Sequence, residues 1–248
     1  MKQSVVLITG ATAGIGRAAA MAFGREGARL VCSGRNAEAG AALVAELQAL
    51  GAEAAFVRAE VSDEVQVREL VDFAVSRFGR LDIAVNSAGT EGRPGGITEQ
   101  TLQAYAATFD ANVLGTLLCM KHELRVMKAQ KQGVVVNLSS TMGSRGNALN
   151  PLYVASKHAV EGLTKSGALE AAPFNVRVNA VAPGPIATEM LDRIAGGTDR
   201  IPMVAATIPM GRVGTPQEVA DAIVFMASER ASYISGQILQ LNGGKTAA

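Results

Sequence analysis

Short, unbroken apolar runs separated by stretches of helical spacing dominate the chain. The runs begin at Ser4 (SVVLITG), Ala28 (ARLVCSG), Ala52 (AEAAFVRAEV), Leu81 (LDIAVNSAG), Gly133 (GVVVNLSS), Asn175 (NVRVNAVAPG) and Gly236 (GQILQLNGG). Most carry apolar residues at consecutive positions, the pattern of parallel strands covered on both faces. Between them, helix-like segments fall near 14–26, 36–50, 63–78, 99–130, 151–171 and 216–227. Strand then helix, repeated about six times, predicts an α/β fold with a doubly wound parallel sheet of about seven strands and helices on both faces.

Two helix starts carry their own signals. Thr215-Pro216 places a capping residue before a proline at the first helical position, and Ser62 followed by Asp63-Glu64 predicts another start. The one extended irregular stretch is 185–212, punctuated by Gly196-Gly197, Pro202, Pro209 and Gly211. Inside a domain, such a segment reads as a lid over a binding site.

Composition narrows the classes. The 248 residues are 48% hydrophobic, which suits one domain spanning 1–248 better than two small ones. Lys plus Arg total 23 and Asp plus Glu 22, so a net charge of +1 leaves no surplus for a nucleic-acid backbone or an anionic membrane. Apolar runs such as VLGTLLCM at 113–120 fall far short of the ~20 residues a membrane span needs. The run Val5 to Ile8 is too short for a signal-peptide core, and a cytoplasmic protein is the expectation. Cys32 and Cys119 read as buried hydrophobes, and with two histidines and no CxxC no metal site is expected.

The first strand closes on TGATAGIG, with Gly10, Gly14 and Gly16 in the spacing G-x3-G-x-G and Thr12, Ala13 and Ile15 between them. At a strand-to-helix junction, such a loop turns tightly and brings backbone N–H groups up to a pyrophosphate at the positive end of the helix. This predicts dinucleotide binding on a Rossmann-type fold. The second strand ends in Ser33-Gly34-Arg35, with no carboxylate to hold a ribose 2′-hydroxyl. Gly34 leaves room and Arg35 offers a guanidinium to a 2′-phosphate, so NADP(H) is preferred and NAD(H) is the alternative.

Tyr153 and Lys157 in YVASK stand at i and i+4, on one helical face. A free phenol has a pKa of ~10. Lowering it to about 7 takes ~4 kcal/mol, the order of one unit charge at ~4 Å with an effective dielectric near 20. Lys157 and an oxidised nicotinamide are therefore expected to pull the phenol down toward neutrality, where it can exchange a proton with a carbonyl or alcohol oxygen. Ser140, thirteen residues before Tyr153 at the end of a strand, can hydrogen-bond the same oxygen.

With these marks, NSAG at 86–89, Asn112 in NVLG and PGPIAT at 183–188, the chain resembles the short-chain dehydrogenase/reductase family from Val5 to Gly244. The resemblance implies Asn112, Ser140, Tyr153 and Lys157 as the catalytic group. Asn112 would hold a relay water behind Lys157, and Lys157 would also bind the nicotinamide ribose. Asn86, Ala88 and Gly89 would back the adenosine side, with Glu60 and Val61 as further contacts. Pro183, Gly184, Ile186 and Thr188 would fix the carboxamide and phosphates. Two departures stand out: Ser87 replaces the family's second asparagine, and Glu60 stands where an aspartate is frequent.

The expected substrate is a small-molecule carbonyl compound or alcohol, with small alcohols, sugars, steroids and acyl thioesters all open, bordered by Glu91, Arg93, Met142, Arg145, Asn147, Met190, Leu191 and Arg193. Arg145 and Arg193 are candidates to receive a carboxylate or phosphate. The resemblance also implies a homotetramer, with Leu114, Leu117, Leu118 and Val160 supplying apolar surface and His122 and His158 at an interface or the surface. Competing readings are a nucleotide-sugar epimerase, for which no separate sugar-nucleotide domain is evident, a non-catalytic dinucleotide-binding regulator, and an NAD-preferring dehydrogenase.

Overall fold

In the computed structural model, which describes residues 1–247, all seven apolar runs are strands. They are β1 (Val5–Thr9), β2 (Arg29–Gly34), β3 (Ala54–Arg58), β4 (Ile83–Asn86), β5 (Gly133–Leu138), β6 (Val176–Pro183) and β7 (Ile238–Leu241). All pair in parallel, in the order β3-β2-β1-β4-β5-β6-β7. The helices are α1 (Gly14–Arg25), α2 (Ala37–Ala49), α3 (Glu64–Phe78), α4 (Leu102–Phe109), α5 (Gly115–Gln130), α6 (Pro151–Ala171), α7 (Glu189–Ala195), α8 (Ile201–Ala206) and α9 (Pro216–Ala227).

Strand geometry explains the unbroken apolar runs. Val6 and Ile8 pack with Phe23, Leu43 and Ile223 beneath α1, α2 and α9, while Leu7 packs with Leu70, Met127 and Val178 beneath α3, α5 and α6. Successive side chains point to opposite faces, and both faces are covered. Strand order reverses between β1 and β4. The segments leaving these strands diverge and open a crevice at their carboxyl ends, where such sheets bind ligands.

The helix starts follow local chemistry. Thr215 and Glu218 form a reciprocal capping box at α9, each side chain accepting from the other's amide. At α3 the cap is Asp63 rather than Ser62: its Oδ1 accepts from the amides of Val65 at 2.9 Å and Gln66 at 3.2 Å. A carboxylate at this position also meets the positive end of the helix dipole.

Three other expectations change. The segment 99–130 is not one helix: a 3-10 turn at Ile97–Glu99 precedes α4, and a π-turn at Asp110–Leu114 separates α4 from α5. The stretch 185–212 is not irregular, because it holds α7, capped by the Thr188 hydroxyl and ended by Gly196, and α8 with Pro202 in its first turn. Leu114 and Leu117 are exposed, but Leu118 and Val160 are core residues and add no outer surface. His158 is exposed, whereas His122 is buried with Nε2 3.3 Å from Glu64. Cys32 and Cys119 are free and buried, and burial pushes the Cys32 thiol up to about 12.

Candidate active site

The glycine loop fills the β1 side of the crevice. Gly10 has φ +64°, and a Cβ there would lie 2.8 Å from the backbone of Ala88, so the loops after β1 and β4 touch. A Cβ on Gly16 would lie 2.2 Å from the Gly10 carbonyl oxygen, so α1 starts hard against the strand end. Ala13, which precedes α1, gives no side-chain cap, whereas Asn36, Asp63, Thr101 and Thr215 cap α2, α3, α4 and α9. The first N–H groups of α1 are thus left for a ligand, as a phosphate-binding helix requires.

Around this loop stand the other expected contacts. Thr12 lies against Gly34, where a Cβ would meet its side chain at 3.2 Å. The Ser33 hydroxyl is buried with no hydrogen-bond partner among the described residues. Arg35 is 80% exposed, and its Nη1 lies 3.6 Å from Glu60 Oε2. Glu60 Oε1 also accepts from the Ser62 amide at 3.5 Å, so this carboxylate already has local partners. Val61 packs with Val67, Leu118 and Cys119 under Ala88. Gly184 donates its amide to the Leu241 carbonyl, and Ile186 bridges to Gly214. Thr188 approaches Gly14, whose Cβ position lies 3.3 Å from the threonine methyl. The uncapped helix, the packed glycine loop and the unpartnered Ser33 hydroxyl fit a dinucleotide.

Asn86 departs from the expectation. Its Nδ2 turns into the core and donates to Glu123 Oε2 and Asn137 Oδ1, both at 3.0 Å, while its Oδ1 is buried with no hydrogen-bond partner among the described residues. Glu123 is fully buried, and that burial, opposed by the Asn86 hydrogen bond, pushes its pKa up to about 7.

At the β5 end, Ser140, Tyr153 and Lys157 converge. Ser140 follows β5 and accepts the Met142 amide at 3.2 Å, which orients its hydroxyl at the head of a tight turn. Tyr153 and Lys157 are both buried, and the ammonium lies 5.6 Å from the phenol ring centroid. Lys157 Nζ donates to the Leu138 carbonyl at 2.7 Å, and a Cβ on Gly89 would lie 3.8 Å from it. The lysine therefore stands between the end of β5 and the loop after β4.

The expected acidity of the phenol is corrected. Burial pushes Tyr153 up to about 12, the Ser140 hydroxyl acts downward as a hydrogen-bond partner, and the Glu91 carboxylate acts upward. Burial also lowers Lys157 to about 8. Removing the phenolate and the ammonium from water disfavours both charges in the protein without coenzyme.

Asn112 reaches the site through the π-turn. Its Oδ1 accepts the Thr90 amide, and its Nδ2 donates to the Thr90 carbonyl and to Ser156 Oγ, each near 2.9 Å. Ser156 Oγ in turn donates to the Tyr153 carbonyl at 2.8 Å. Both side-chain donors of Asn112 are spent on protein, so the residue braces the loop after β4 against α6. Its own carbonyl also accepts the Thr116 hydroxyl. Thr90 and Ser156 were missed by sequence reading. Ser156 lies three residues after Tyr153 and had a local signal, while Thr90 had none.

Two bridges close the rim. Arg193 on α7 donates to both carboxylate oxygens of Glu91, at 2.5 and 3.3 Å. Arg145 donates to the Lys245 carbonyl at 2.5 Å, and Lys245 Nζ donates to the Thr207 hydroxyl at 2.6 Å. Of the other expected border residues, Leu191 is buried and Asn147 accepts the Leu149 amide.

Residues 10–246 match the family described as enoyl-(acyl carrier protein) reductase. The chain is 41% identical to the A-factor type gamma-butyrolactone 1′-reductase (1S-forming) of Streptomyces virginiae, over 98% of this chain and 95% of that protein. It is 39% identical to the cis-4-hydroxycyclohexanecarboxylate dehydrogenase of Sinomonas cyclohexanicum, over 99% and 97%. The crystal structure of levodione reductase superposes with a TM-score of 0.97 at 34% identity, covering 100% of this chain and 99% of that one. Matched along almost its whole length to reductases and dehydrogenases, the chain belongs to the short-chain dehydrogenase/reductase family, oxidoreductases that interconvert an alcohol and its carbonyl compound with a nicotinamide dinucleotide.

Proposed function

We propose that the protein reduces a small ketone or aldehyde, and oxidises the corresponding alcohol, with NADP(H) as preferred coenzyme and Tyr153 as general acid and base. The convergence of Ser140, Tyr153 and Lys157 beside the glycine loop carries this reading. The dinucleotide supplies the hydride when bound. Gly10, Thr12, Ala13, Gly14, Ile15 and Gly16 would hold its pyrophosphate against the free N–H groups of α1. Ser33, Gly34 and Arg35 would hold the adenosine ribose, with the guanidinium on a 2′-phosphate. Lys157, Pro183, Gly184, Ile186 and Thr188 would position the nicotinamide end.

For reduction, a phenol pushed up to about 12 is protonated at neutral pH and ready to give its proton to the carbonyl oxygen. The Ser140 hydroxyl donates a hydrogen bond to the same oxygen as negative charge grows on it. Lys157 keeps its charge below about 8 and stabilises the phenolate left behind. In the oxidative direction the same groups act in reverse, and a cationic coenzyme ring adds to the pull of Lys157.

The relatives carry names of quite different substrates, an A-factor type gamma-butyrolactone and a cis-4-hydroxycyclohexanecarboxylate among them, so the reaction class is proposed without one molecule. No helix among the described residues is long and apolar enough to cross a membrane. A cytoplasmic setting and a homotetramer complete the proposal, with exposed Leu102 and Tyr105 on α4, Leu114 in the π-turn and Leu117 on α5 as the apolar face between subunits.

The test is NADPH oxidation against a panel of ketones, aldehydes and sugars. Tyr153→Phe should lower kcat by about 10²–10⁴ while leaving NADPH binding intact. Full activity in that variant would refute the acid/base assignment. Binding of NADPH without turnover of any carbonyl compound would favour the regulator.

A further inference from the structure

The Glu91–Arg193 pair spans the crevice at its chemical end. Thr188 both touches Gly14 of the coenzyme loop and caps α7, the helix that carries Arg193. On the opposite side, Gly89 lies beside Lys157 Nζ and Thr90 is clamped by Asn112, so Glu91 leaves from a fixed backbone next to the catalytic lysine. The carboxylate is mostly shielded, with only 15% of its side chain exposed. Burial alone would raise its pKa, but the hydrogen bond from Arg193 holds it below the ordinary carboxylate value. It also lies near enough to Tyr153 to disfavour the phenolate.

Taking the proposed carbonyl reduction as given, we propose that Glu91 and Arg193 act as a charge filter that selects substrates neutral beside the reacting carbonyl and rejects carboxylates. Two effects combine. Arg193, the cation best placed to receive an anionic substrate, is already neutralised by a two-point contact. Of the pair, Glu91 is the member whose charge is felt at the phenol, so a carboxylate held beside Tyr153 meets a like charge that the more exposed Arg193 offsets only in part. Nε and Nη2 of Arg193 are both spent on Glu91, so that edge of the guanidinium can grip an incoming anion at two points only by leaving Glu91, which would then lose its partner.

The experiment uses three matched ketone pairs, a carboxamide and the isosteric carboxylate on a cyclohexanone, an acetophenone and a linear chain. The purified enzyme is assayed with NADPH and, separately, NADH. The wild type should favour the carboxamide in kcat/KM by roughly tenfold or more. In Glu91→Gln that ratio should collapse toward unity or invert, because Arg193 is released and the repulsion removed. Glu91→Asp, which keeps the charge, should retain a preference for the carboxamide. In Arg193→Gln the ratio should rise, since the carboxylate then faces Glu91 without a cation. If the pair served only to hold α7, all three variants would lower both members of each pair alike and leave the ratio in place, which would overturn the filter. Equal turnover of both members by the wild type would also overturn it, while the reduction reading stands. Reduction of none of the six ketones would instead refute the reading on which the filter rests.

Discussion

Asn112 and Thr90 hold each other by two hydrogen bonds, the Thr90 amide donating to Asn112 Oδ1 at 2.8 Å and Asn112 Nδ2 donating to the Thr90 carbonyl at 2.9 Å. An asparagine reaching from a helical break reproduces, for an irregular loop, the pairing that a neighbouring strand would offer. The π-turn at Asp110–Leu114 makes this reach possible, as such turns do where a side chain must leave the helical repeat. Through Ser156, the same side chain also fixes the first turn of α6, which carries Tyr153.

Replacing this brace has a defined cost. Asn112→Ala leaves a backbone amide and carbonyl of Thr90 without partners, and should lower unfolding free energy by about 2–4 kcal/mol in urea denaturation. Turnover should fall by roughly tenfold or more at saturating coenzyme, because Glu91 and Tyr153 lose their common reference. Unchanged stability together with unchanged kcat would show that the contact does not organise the site.

Coenzyme affinity should depend on pH through Lys157. Its folded pKa is lowered to about 8, so the charged form that favours an anionic dinucleotide is lost as pH rises through that value. The NADPH Kd should weaken above pH 8 by up to about tenfold per pH unit, the limit for release of one proton. Lys157→Met should bind more weakly at pH 7 and show a flatter profile, measured by fluorescence titration.

Glu123 should make stability fall as pH rises. Its folded pKa is raised to about 7 from an ordinary carboxylate value near 4.5, so folding favours its protonated form. That contribution is fully present below pH 4.5 and is lost between there and about pH 7, amounting to roughly 3 kcal/mol. Thermal denaturation of Glu123→Gln should lack this component, making the variant gain on the wild type between pH 5 and 7.

Coenzyme choice should turn on the end of β2. Gly34→Asp with Arg35→Leu removes the phosphate partner and adds a ribose acceptor, and should move the NADPH-to-NADH ratio of kcat/KM toward NADH by about tenfold or more. The new Cβ would stand 3.2 Å from Thr12, so that side chain must shift by a few tenths of an ångström. Glu60→Gln should act the other way, releasing Arg35 from a carboxylate 3.6 Å distant. A wild type that already prefers NADH would refute this reading.

The sequence by itself determined the seven strands, their parallel pairing and the main helices, because a two-faced buried strand and an amphipathic helix leave period and composition marks in the residues themselves. It also placed Tyr153 and Lys157 on one face, since four residues make about one helical turn. Tertiary structure alone decided what those groups experience. Charge stability depends on burial and on neighbours distant in sequence, so the phenol rises where the lysine's nearness had suggested a fall. The same holds for Asn86, which faces Glu123 and Asn137 rather than the crevice, and for Asn112, whose donors go to Thr90 and Ser156. Glu91 and Arg193 lie 102 positions apart and become one feature only when the loop after β4 and the helix after β6 meet above the same strand ends.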